Sequence, residues 1–230
     1  MSFDAFYETM LQSREWQEYA RLMQERPQLF AQSELLMIET DARKIAKYEM
    51  ESGKTIGVVY QSPYTMMVVD LVSCNGRCFT YERSLPTVAR GAVVSMPMYN
   101  GRFVLLRQFR HAMREMQYSF PRGFGEIGYS AAENLKKEIS EEIGAEVTDC
   151  RLLGEVVSNS GLSGEKVSVY FCEVTEPQSK KGYEEIDTML TVSRPELESM
   201  IRNGEINDGF TLSAYALYCT VMSADTNQKQ

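Results

Sequence analysis

Residues 120–145, with the sequence FPRGFGEIGYSAAENLKKEISEEIGA, combine a glycine-rich loop with a strongly specified helix. The loop contains three glycines within six residues, Gly123, Gly125 and Gly128. These glycines allow the backbone to turn tightly and to approach a ligand closely. Residues 130–133, Ser-Ala-Ala-Glu, form a capping box, and Gly144 stands where a C-terminal cap belongs. The sequence therefore predicts a loop followed by a helix over 131–143.

The predicted helix carries three carboxylates at positions i, i+3 and i+4: Glu138, Glu141 and Glu142. Its apolar stripe consists of Leu135, Ile139 and Ile143. At about 100° per residue, Glu142 lies only about 20° from Leu135 around the helix axis, so an acid stands almost on the buried stripe. Clustered carboxylates repel one another and are costly to bury unpaired, and a hard divalent cation such as Mg²⁺ would remove both penalties. The alternative, from the helix alone, is a solvated acidic face paired with Lys136 and Lys137.

The composition limits the kinds of partner that the chain can bind. Its 230 residues include 24 Lys and Arg against 32 Asp and Glu, which gives a formal net charge of −8. This balance argues against a general binder of nucleic acid or of anionic membranes, because such proteins need a basic face. A phosphate ligand is still compatible with it, because a local pocket or a bound cation can reverse the field. The one histidine, His111, excludes a histidine-rich zinc site.

Cysteine usage and the hydropathy pattern indicate a compartment. The five cysteines are odd in number and form no CxxC motif, which favours free thiols in a reducing cytosol and a cytoplasmic protein. The N-terminal residues MSFDAFYETM include an acid and no basic segment, so we expect no secretory signal. No apolar run approaches the roughly 18 residues of a membrane span, so we expect no membrane association.

The hydrophobic period changes along the first part of the chain. Helical spacing predicts helices over 4–25 and 33–51, the second capped by Ser33. Residues rich in β-branched and aromatic side chains then predict strands over 55–60, 64–73 and 78–82. Asn75-Gly76 is a hairpin signal between the last two strands. We therefore divide the chain into an N-terminal helical and antiparallel β region, 1–88, and a second domain, 89–230.

The second domain alternates strand and helix signals around the loop and helix of 120–145. Strands are predicted over 92–98, 103–109, 150–157 and 166–174, and helices over 195–202 and 211–222. Residues 176–185 are predicted to form a polar loop. The polar tail 223–230 is expected to fray.

Residues 123–145 resemble the signature of the Nudix hydrolases, Gly-x5-Glu-x7-Arg-Glu-U-x-Glu-Glu-x-Gly-U, in which U is an aliphatic residue. Aligned without gaps, the matching positions are Gly123, Glu138, Ile139, Glu141, Glu142 and Gly144. Two positions depart from the signature, because Tyr129 replaces its first Glu and Lys137 replaces its Arg. The last position holds Ala145, which is small rather than bulky.

The resemblance extends over about 88–222. Similarity to the ADP-ribose pyrophosphatase-like members of the family is found at residues 107–110, 120–123 and 204–208, the last followed by 211–212. The resemblance implies an α+β fold, a Nudix α/β/α sandwich with a mixed sheet, preceded by the N-terminal helical and antiparallel β region. Members of this branch commonly pair or swap such a region, which implies a homodimer.

The resemblance also implies the roles of the acids in the signature. Glu138 and Glu142 would be the main metal ligands, with Glu141 close by, and the main-chain carbonyl of Arg122 would be a further ligand. Mg²⁺, or alternatively Mn²⁺, would bridge the pyrophosphate oxygens and lower the pKa of an attacking water.

Several residues outside the helix are candidates for catalysis and substrate binding by the same resemblance. A late loop offers Glu184 and Glu185 as the catalytic base, with an exposed acidic loop as the alternative. Arg110 and Arg122 are candidates for binding phosphate, since arginine suits a bidentate grip, and a surface arginine at a strand end is the alternative for Arg110. Glu165 is a further candidate for contact with the substrate.

The resemblance implies Mg²⁺-dependent hydrolysis of a nucleoside diphosphate linked to a sugar, such as ADP-ribose or another NDP-sugar, into two monophosphates. A second hypothesis is a regulator or sensor that binds a nucleotide-sugar but has weakened catalysis, and Tyr129 and Lys137 motivate it. A third is mRNA decapping or nucleic-acid processing, which would need a basic track that the sequence does not show. We therefore expect a nucleotide-sugar substrate and no nucleic-acid partner.

Overall fold

The computed structural model describes residues 1–179 and 182–227. The chain divides into two compact units. The first comprises Met1–Thr87 with Asn159–Gly164, and the second comprises Val88–Ser158 with Glu165–Gln230.

The first unit packs helices on an antiparallel sheet. Its helices are α1 (Phe3–Leu11), α2 (Arg14–Glu25) and α3 (Ala42–Ser52), with a 3₁₀ turn at Pro27–Phe30. Its strands are β1 (Met37–Ile38), β2 (Gly57–Gln61), β3 (Thr65–Cys74) and β4 (Arg77–Pro86). Strand β3 pairs antiparallel with the other three strands. The core between helices and sheet includes Tyr19, Ile45 and Val68, which are fully buried.

The helices of this unit differ from the sequence prediction in two places. The single helix predicted over 4–25 is wrong, because Ser13 leaves helical geometry and caps α2 by accepting a hydrogen bond from Trp16 N. The helix predicted over 33–51 starts too early. Asp41 caps α3 by accepting from Arg43 N at 2.8 Å and Lys44 N at 3.2 Å, and the preceding β1 pairs with β3.

The β3–β4 hairpin confirms the predicted turn. Asn75 and Gly76 both have positive φ, 49° and 75°, as the favoured two-residue hairpin turns require. The far end of β4 holds the segment 159–164 against this unit, because Ser84 N donates to Leu162 O at 2.8 Å. Tyr81 adds a hydrogen bond from its hydroxyl to Gly161 O at 2.7 Å.

The second unit is built on a mixed seven-stranded sheet. Its strands are β5 (Val93–Tyr99), β6 (Arg102–Arg110), β7 (Glu115–Ser119), β8 (Arg122–Gly123), β9 (Val147–Val156), β10 (Val167–Val174) and β11 (Ile186–Val192). Its helices are α4 (Ala131–Ile143), α5 (Arg194–Arg202) and α6 (Gly209–Asn227), with a 3₁₀ turn at Tyr183–Glu185. The main path of the sheet is β11-β6-β5-β10-β9, with β7 paired to β6 and β8 paired to β5. Strands β5 and β10 are parallel, and the other pairs are antiparallel.

Alternation along β5 places helices on both faces of this sheet. Val93 packs with Ile139 and the rest of the apolar stripe of α4, whereas Val94 packs with Leu197 of α5 and Ala214 of α6. This arrangement confirms the predicted α+β fold, an α/β/α sandwich with a mixed sheet.

Three strands of the second unit were not predicted from the sequence, and one of them is the two-residue β8 inside the predicted glycine-rich loop. Strand β7 falls in a segment without a strand prediction, and β11 follows directly on the predicted polar loop. Helix α6 also continues to Asn227, so the expectation of a frayed tail from residue 223 is wrong as far as Asn227, and 228–230 lie outside the described residues. Within the described ranges, no helix is both long enough and apolar enough to cross a bilayer.

Candidate active site

The loop and helix at 120–145 fold as their capping signals predict. Ser130 Oγ accepts from Glu133 N at 3.3 Å, and the Glu133 carboxylate accepts from Ser130 N at 2.8 Å. At the other end, Gly144 adopts the left-handed conformation with a φ of 59°. These caps fix where α4 begins and ends, and so fix the direction in which its carboxylates point.

The loop before α4 is held close to the sheet and the helix. A Cβ atom at Gly125 would lie 2.0 Å from Arg90 O, so only glycine allows this approach. Asn134 of α4 is fully buried, and its amide donates to Gly91 O at 2.9 Å and Phe124 O at 2.7 Å. Sequence analysis missed this role of Asn134, although an amide next to Leu135 of the apolar stripe was a visible signal.

Glu138 and Glu142 point from α4 towards the strand β8. Both side chains are buried, with exposed fractions of 7% and 3%. A Cβ atom at Gly123 would lie 1.8 Å from Glu138 Oε1, so the Glu138 carboxylate rests directly on the glycine backbone. Glu142 Oε2 accepts a hydrogen bond from Arg122 N at 3.2 Å. The loop and the helix therefore bring these two acids to the same place.

Ionisation of the two buried carboxyl groups is unfavourable in this environment. Burial raises the pKa of Glu138 to about 7. Burial and the neighbouring charge of Glu138 raise the pKa of Glu142 to about 8. Among the described residues, no lysine or arginine forms a salt bridge with either carboxylate. A divalent cation would neutralise this pair, which is the arrangement that the helix pattern predicted.

Glu141 is not buried with this pair, although its charge acts on Glu138. Its carboxylate accepts from Lys137 Nζ at 2.9 Å, and the same ammonium donates to Glu126 Oε1 at 2.8 Å. These hydrogen bonds raise the pKa of Lys137. Lys137 departs from the signature, and its pairing with Glu126 was not predicted, because that pairing depends on how the loop folds back on α4.

The donors around Glu138 and Glu142 fit a magnesium site of limited protein ligation. Among the described residues, His, Cys, Asp and Glu side chains form no group of three or more that is arranged to hold a metal ion. Mg²⁺ usually keeps several waters and takes one or two carboxylates together with substrate phosphates. Two buried, unneutralised carboxylates next to the Arg122 main chain match that donor set.

Two arginines lie on the side of the site formed by β6 and β8. Arg110 Nη2 donates to Ser119 Oγ at 2.9 Å, whereas its buried Nε has no hydrogen-bond partner among the described atoms. Burial and the charge of Arg122 lower the pKa of Arg110. Arg122 forms a salt bridge with buried Asp208 at 3.1 Å. Arg110 is thus a cation with capacity for an anionic ligand.

Asp208, which was not among the predicted site residues, holds Arg122 in place. Its Oδ2 accepts from Thr211 N at 2.9 Å and from Thr211 Oγ1 at 2.7 Å, so it caps the first turn of α6 while its Oδ1 binds Arg122. The Asp-x-x-Thr spacing at the start of a helix was the available signal.

A cavity of about 510 Å³ adjoins the two arginines. It is lined by Arg110, His111, Ala112, Met113, Gln117, Arg122, Asn207, Asp208 and Gly209. Gln117 Nε2 donates to Asn207 Oδ1 at 3.1 Å across this lining, so two amides are held together at the wall. The cavity offers donors and acceptors that suit hydroxyl and phosphate groups.

The structure separates the two candidate bases of the late loop. The charge of Glu184 raises the pKa of both Glu138 and Glu142, whereas Glu185 is not among the main charges that act on them. The buried amide of Gln108 donates to the main-chain carbonyl of Glu184. Both glutamates have positive φ, 43° and 61°, a strained conformation that non-glycine residues adopt rarely. Glu184 is thus the one that acts on the buried acids.

The remaining predicted residue, Glu165, is partly buried in the second unit. Burial raises its pKa, and the charge of Arg122 opposes that shift. Glu165 therefore acts electrostatically on the arginine side of the site.

The fold and this loop-helix site define a class of protein. The family model for the NUDIX domain matches residues 88–206. The chain belongs to the Nudix family and is a Nudix hydrolase of the ADP-ribose pyrophosphatase-like branch.

Two relatives are similar to particular parts of the chain. The ADP compounds hydrolase NudE of Escherichia coli strain K12 is 25% identical over 156 residues, which cover 67% of this chain and 83% of NudE. A crystal structure described as an ADP compounds hydrolase superposes with a TM-score of 0.64 at 20% identity. That match covers 74% of this chain and 93% of the solved chain, and it supports the fold.

Proposed function

We propose that the protein is a Mg²⁺-dependent pyrophosphohydrolase that cleaves an ADP-sugar such as ADP-ribose, or another nucleoside diphosphate linked to a sugar, into two monophosphates. The observation that carries this proposal is the buried, unneutralised pair Glu138 and Glu142 beside the cavity of Arg110 and Arg122. The similarity to an enzyme named for ADP compounds supports the choice of adenine nucleotides.

The cation would be held by the carboxylates of Glu138 and Glu142 and by the main-chain carbonyl of Arg122, with Glu141 close by. When bound, Mg²⁺, or Mn²⁺ in its place, supplies positive charge for the phosphate oxygens and lowers the pKa of coordinated water. The protein contributes the fixed direction of these oxygens, because capped α4 and the glycine loop determine it.

The substrate would lie with its phosphates near Arg110 and its sugar-bearing half in the cavity. The Arg110 guanidinium has no salt bridge with a described residue, so it can pair with a phosphate oxygen. Arg122 and Glu165 border the same region, and the amides of Gln117 and Asn207 suit sugar hydroxyls.

Glu184 would act as the base. It would take the proton of the water that attacks one phosphorus, while the bond from that phosphorus to the bridging oxygen breaks and the second phosphate leaves as a monophosphate. The charge of Glu184 raises the pKa of both Glu138 and Glu142, which supports Glu184 over its neighbour Glu185 as the base.

The first test is hydrolysis of a panel of diphosphates by the full chain. ADP-ribose, ADP-glucose, UDP-glucose, GDP-mannose, NADH and diadenosine polyphosphates would each be assayed with Mg²⁺, Mn²⁺ or EDTA. We expect metal-dependent cleavage with preference for an ADP-sugar. Binding of a panel member without any turnover would overturn the proposal and support a nucleotide-sugar-binding regulator instead.

The base is tested by a matched pair of variants. Glu184→Gln should lower kcat by about a hundredfold or more, in the range for loss of a general base, whereas Glu185→Gln should stay within about threefold of the wild type. The two variants are matched, because each replaces a carboxylate by an amide of the same shape and both residues have the same strained backbone conformation. Equal losses in the two variants would contradict the assignment of Glu184.

We also propose that the protein forms a homodimer through its first unit. Large aromatic side chains are exposed there. They include Tyr60 of β2 (56% exposed), Tyr64 between β2 and β3 (64%) and Phe79 of β4 (40%). Sedimentation of the full chain at assay concentration should give twice the mass of one chain. A single-chain mass would refute this part of the proposal.

A further inference from the structure

Lys137 is held between two acids, Glu126 in the loop and Glu141 on α4. Its Nζ lies 2.8 Å from Glu126 Oε1 and 2.9 Å from Glu141 Oε2. We propose that these three residues form a clamp in which Lys137 and Glu126 are positioning residues: they tie the loop to α4 and set the Glu141 carboxylate beside the cation site. This inference rests on the proposed function and assigns roles to two residues of that site.

The clamp joins the part of the loop that the other anchors leave free. The capping box holds residue 130, and the Asn134 amide holds Phe124 O. Glu126 lies between these points and opens a turn, because its carbonyl accepts from Tyr129 N at 3.3 Å. The ion pair with Lys137 thus connects the middle of the loop to the helix.

The clamp also affects the charge around the buried acids. The charges of Glu126 and Glu141 both act on Glu138 in the same sense as its burial, and the charge of Lys137 acts against them. Lys137 therefore opposes the charges that Glu126 and Glu141 exert on Glu138. Its side chain is 29% exposed, so water screens this interaction less than it screens a fully exposed pair.

One ammonium can serve both acids at once, because it has three donors. The Glu141 oxygen that accepts from Lys137 is Oε2, so this hydrogen bond does not occupy Oε1. A carboxylate that is already held by one oxygen loses less side-chain conformational entropy when it binds a cation, whether its other oxygen binds directly or through a water. Loss of Lys137 or Glu126 should therefore weaken cation binding without disrupting the fold.

The clamp explains in structural terms how the chain accommodates Tyr129 and Lys137, the two departures from the signature. An acid is absent at residue 129, where Tyr129 is 45% exposed, yet loop and helix are still joined by an ion pair through Glu126. The departure at 137 keeps the positive charge. Tyr129 and Lys137 therefore belong to a loop that is held to the helix in a different way, and they do not mark a lost site.

The test uses the full chain and Mn²⁺ alone as the probe, titrated by electron paramagnetic resonance without substrate. The variants are Glu126→Gln, Lys137→Met and their combination, with Lys137→Arg as the conservative replacement. Lys136→Met is the matched control, because it removes an exposed lysine from the neighbouring position of the same helix. The Mg²⁺ concentration for half-maximal turnover and the thermal midpoint would be measured in parallel.

We expect Glu126→Gln and Lys137→Met each to raise the Mn²⁺ dissociation constant by about tenfold, as for other groups that orient metal ligands. The double variant should bind no more weakly than Lys137→Met, because Glu126 acts through Lys137. Lys137→Arg should stay within about threefold of the wild type, as should Lys136→Met. The thermal midpoints should move little, which separates positioning from a general structural role.

Unchanged Mn²⁺ binding in Glu126→Gln, or additive losses in the double variant, would overturn the clamp. An equal loss in Lys136→Met would also overturn it, because a general charge effect would then explain the result. A wild-type chain that binds Mn²⁺ but hydrolyses no diphosphate would refute the proposed function, and the titration would still decide on the clamp. Absence of Mn²⁺ binding by the wild type would overturn both.

Discussion

Buried carboxylates occur in both units of the chain, and the charges that surround them differ. In the first unit, Asp70 is 1% exposed and accepts from Arg83 Nε at 2.5 Å, Arg83 Nη2 at 2.9 Å and the Tyr19 hydroxyl at 2.7 Å. In the second, Glu138 and Glu142 are buried together without a salt bridge to a described residue. The charge of Asp70 is neutralised by residues of the fold itself, whereas the charges of Glu138 and Glu142 call for a bound cation.

The contrast shows how to separate a structural acid from a functional one. Burial alone is common to both, so it does not identify a site. What distinguishes Glu142 is a pKa raised to about 8 by burial and by the charges of Glu138 and Glu184. A protein tolerates such uncompensated burial at a cost in stability, and the natural explanation is a ligand of opposite charge.

The same change from carboxylate to amide should therefore have opposite effects at the two places. At Glu142, Glu142→Gln should lower metal-dependent turnover by about a thousandfold, because a buried ligand oxygen loses its charge where charge must be stabilised. Without metal, the variant should unfold at a higher temperature than the wild type at pH 8, because one of two repelling charges is gone. Activity assays and thermal unfolding in EDTA would check both parts.

The exposed acid Glu146 on the same unit is a suitable control for that prediction. Glu146→Gln should leave turnover unchanged, because this side chain lies after the cap of α4 and outside the site. Full activity of Glu142→Gln, with metal dependence retained, would sink the assignment of Glu142 as a metal ligand.

The stability of the metal-free protein should depend on pH in a definite direction. Glu138 and Glu142 have folded pKa values of about 7 and 8, above the ordinary value of 4.5. The folded state therefore holds protons that the unfolded state releases, and this contribution to stability is complete below pH 4.5 and is lost as the pH rises through 7 and 8. The thermal unfolding midpoint in EDTA should therefore decrease as the pH is raised from 5 to 8.5.

Two comparisons sharpen the pH prediction. Glu142→Gln should show a flatter fall than the wild type, because one of the two titrating groups is absent. Saturating Mg²⁺ should raise the midpoint more at pH 8 than at pH 5, where protons compete for the same oxygens. Parallel pH curves for the wild type and Glu142→Gln would contradict the account.

The elements that sequence analysis predicted well are those whose signals are local. Helix α4 was predicted over 131–143, and its capping box and Gly144 lie within the chain segment itself. The hairpin at Asn75-Gly76 is equally local. The predicted 4–25 helix failed because hydrophobic spacing continues across Ser13, where a side-chain cap interrupts the backbone. Strand β11 depends on pairing with β6, far away in sequence, and no local pattern required it.

The same distinction applies to the site. Glu142 was identifiable because its position beside Leu135 could be read from the helix period alone. Asp208 reaches Arg122 across 86 residues, and Gln108 reaches the carbonyl of Glu184 across 76 residues. Glu126 lies only 11 residues from Lys137, yet their pairing requires the particular turn of the glycine loop. Tertiary geometry, more than residue type, decides these contacts.

The structural acid supplies the last prediction. Asp70→Asn should lower the free energy of unfolding by about 3 kcal/mol, because it leaves the Arg83 guanidinium, which is 18% exposed, without its counter-charge. Folded Asp70→Asn molecules should keep the kcat of the wild type. Urea unfolding, with turnover measured on the folded fraction, would check both statements. A stabilising effect of Asp70→Asn would contradict this prediction, because such an effect is expected only for Glu142→Gln without metal. The ionised carboxylate of Asp70 would then also lower the stability of the fold, and the contrast between the two regions would disappear.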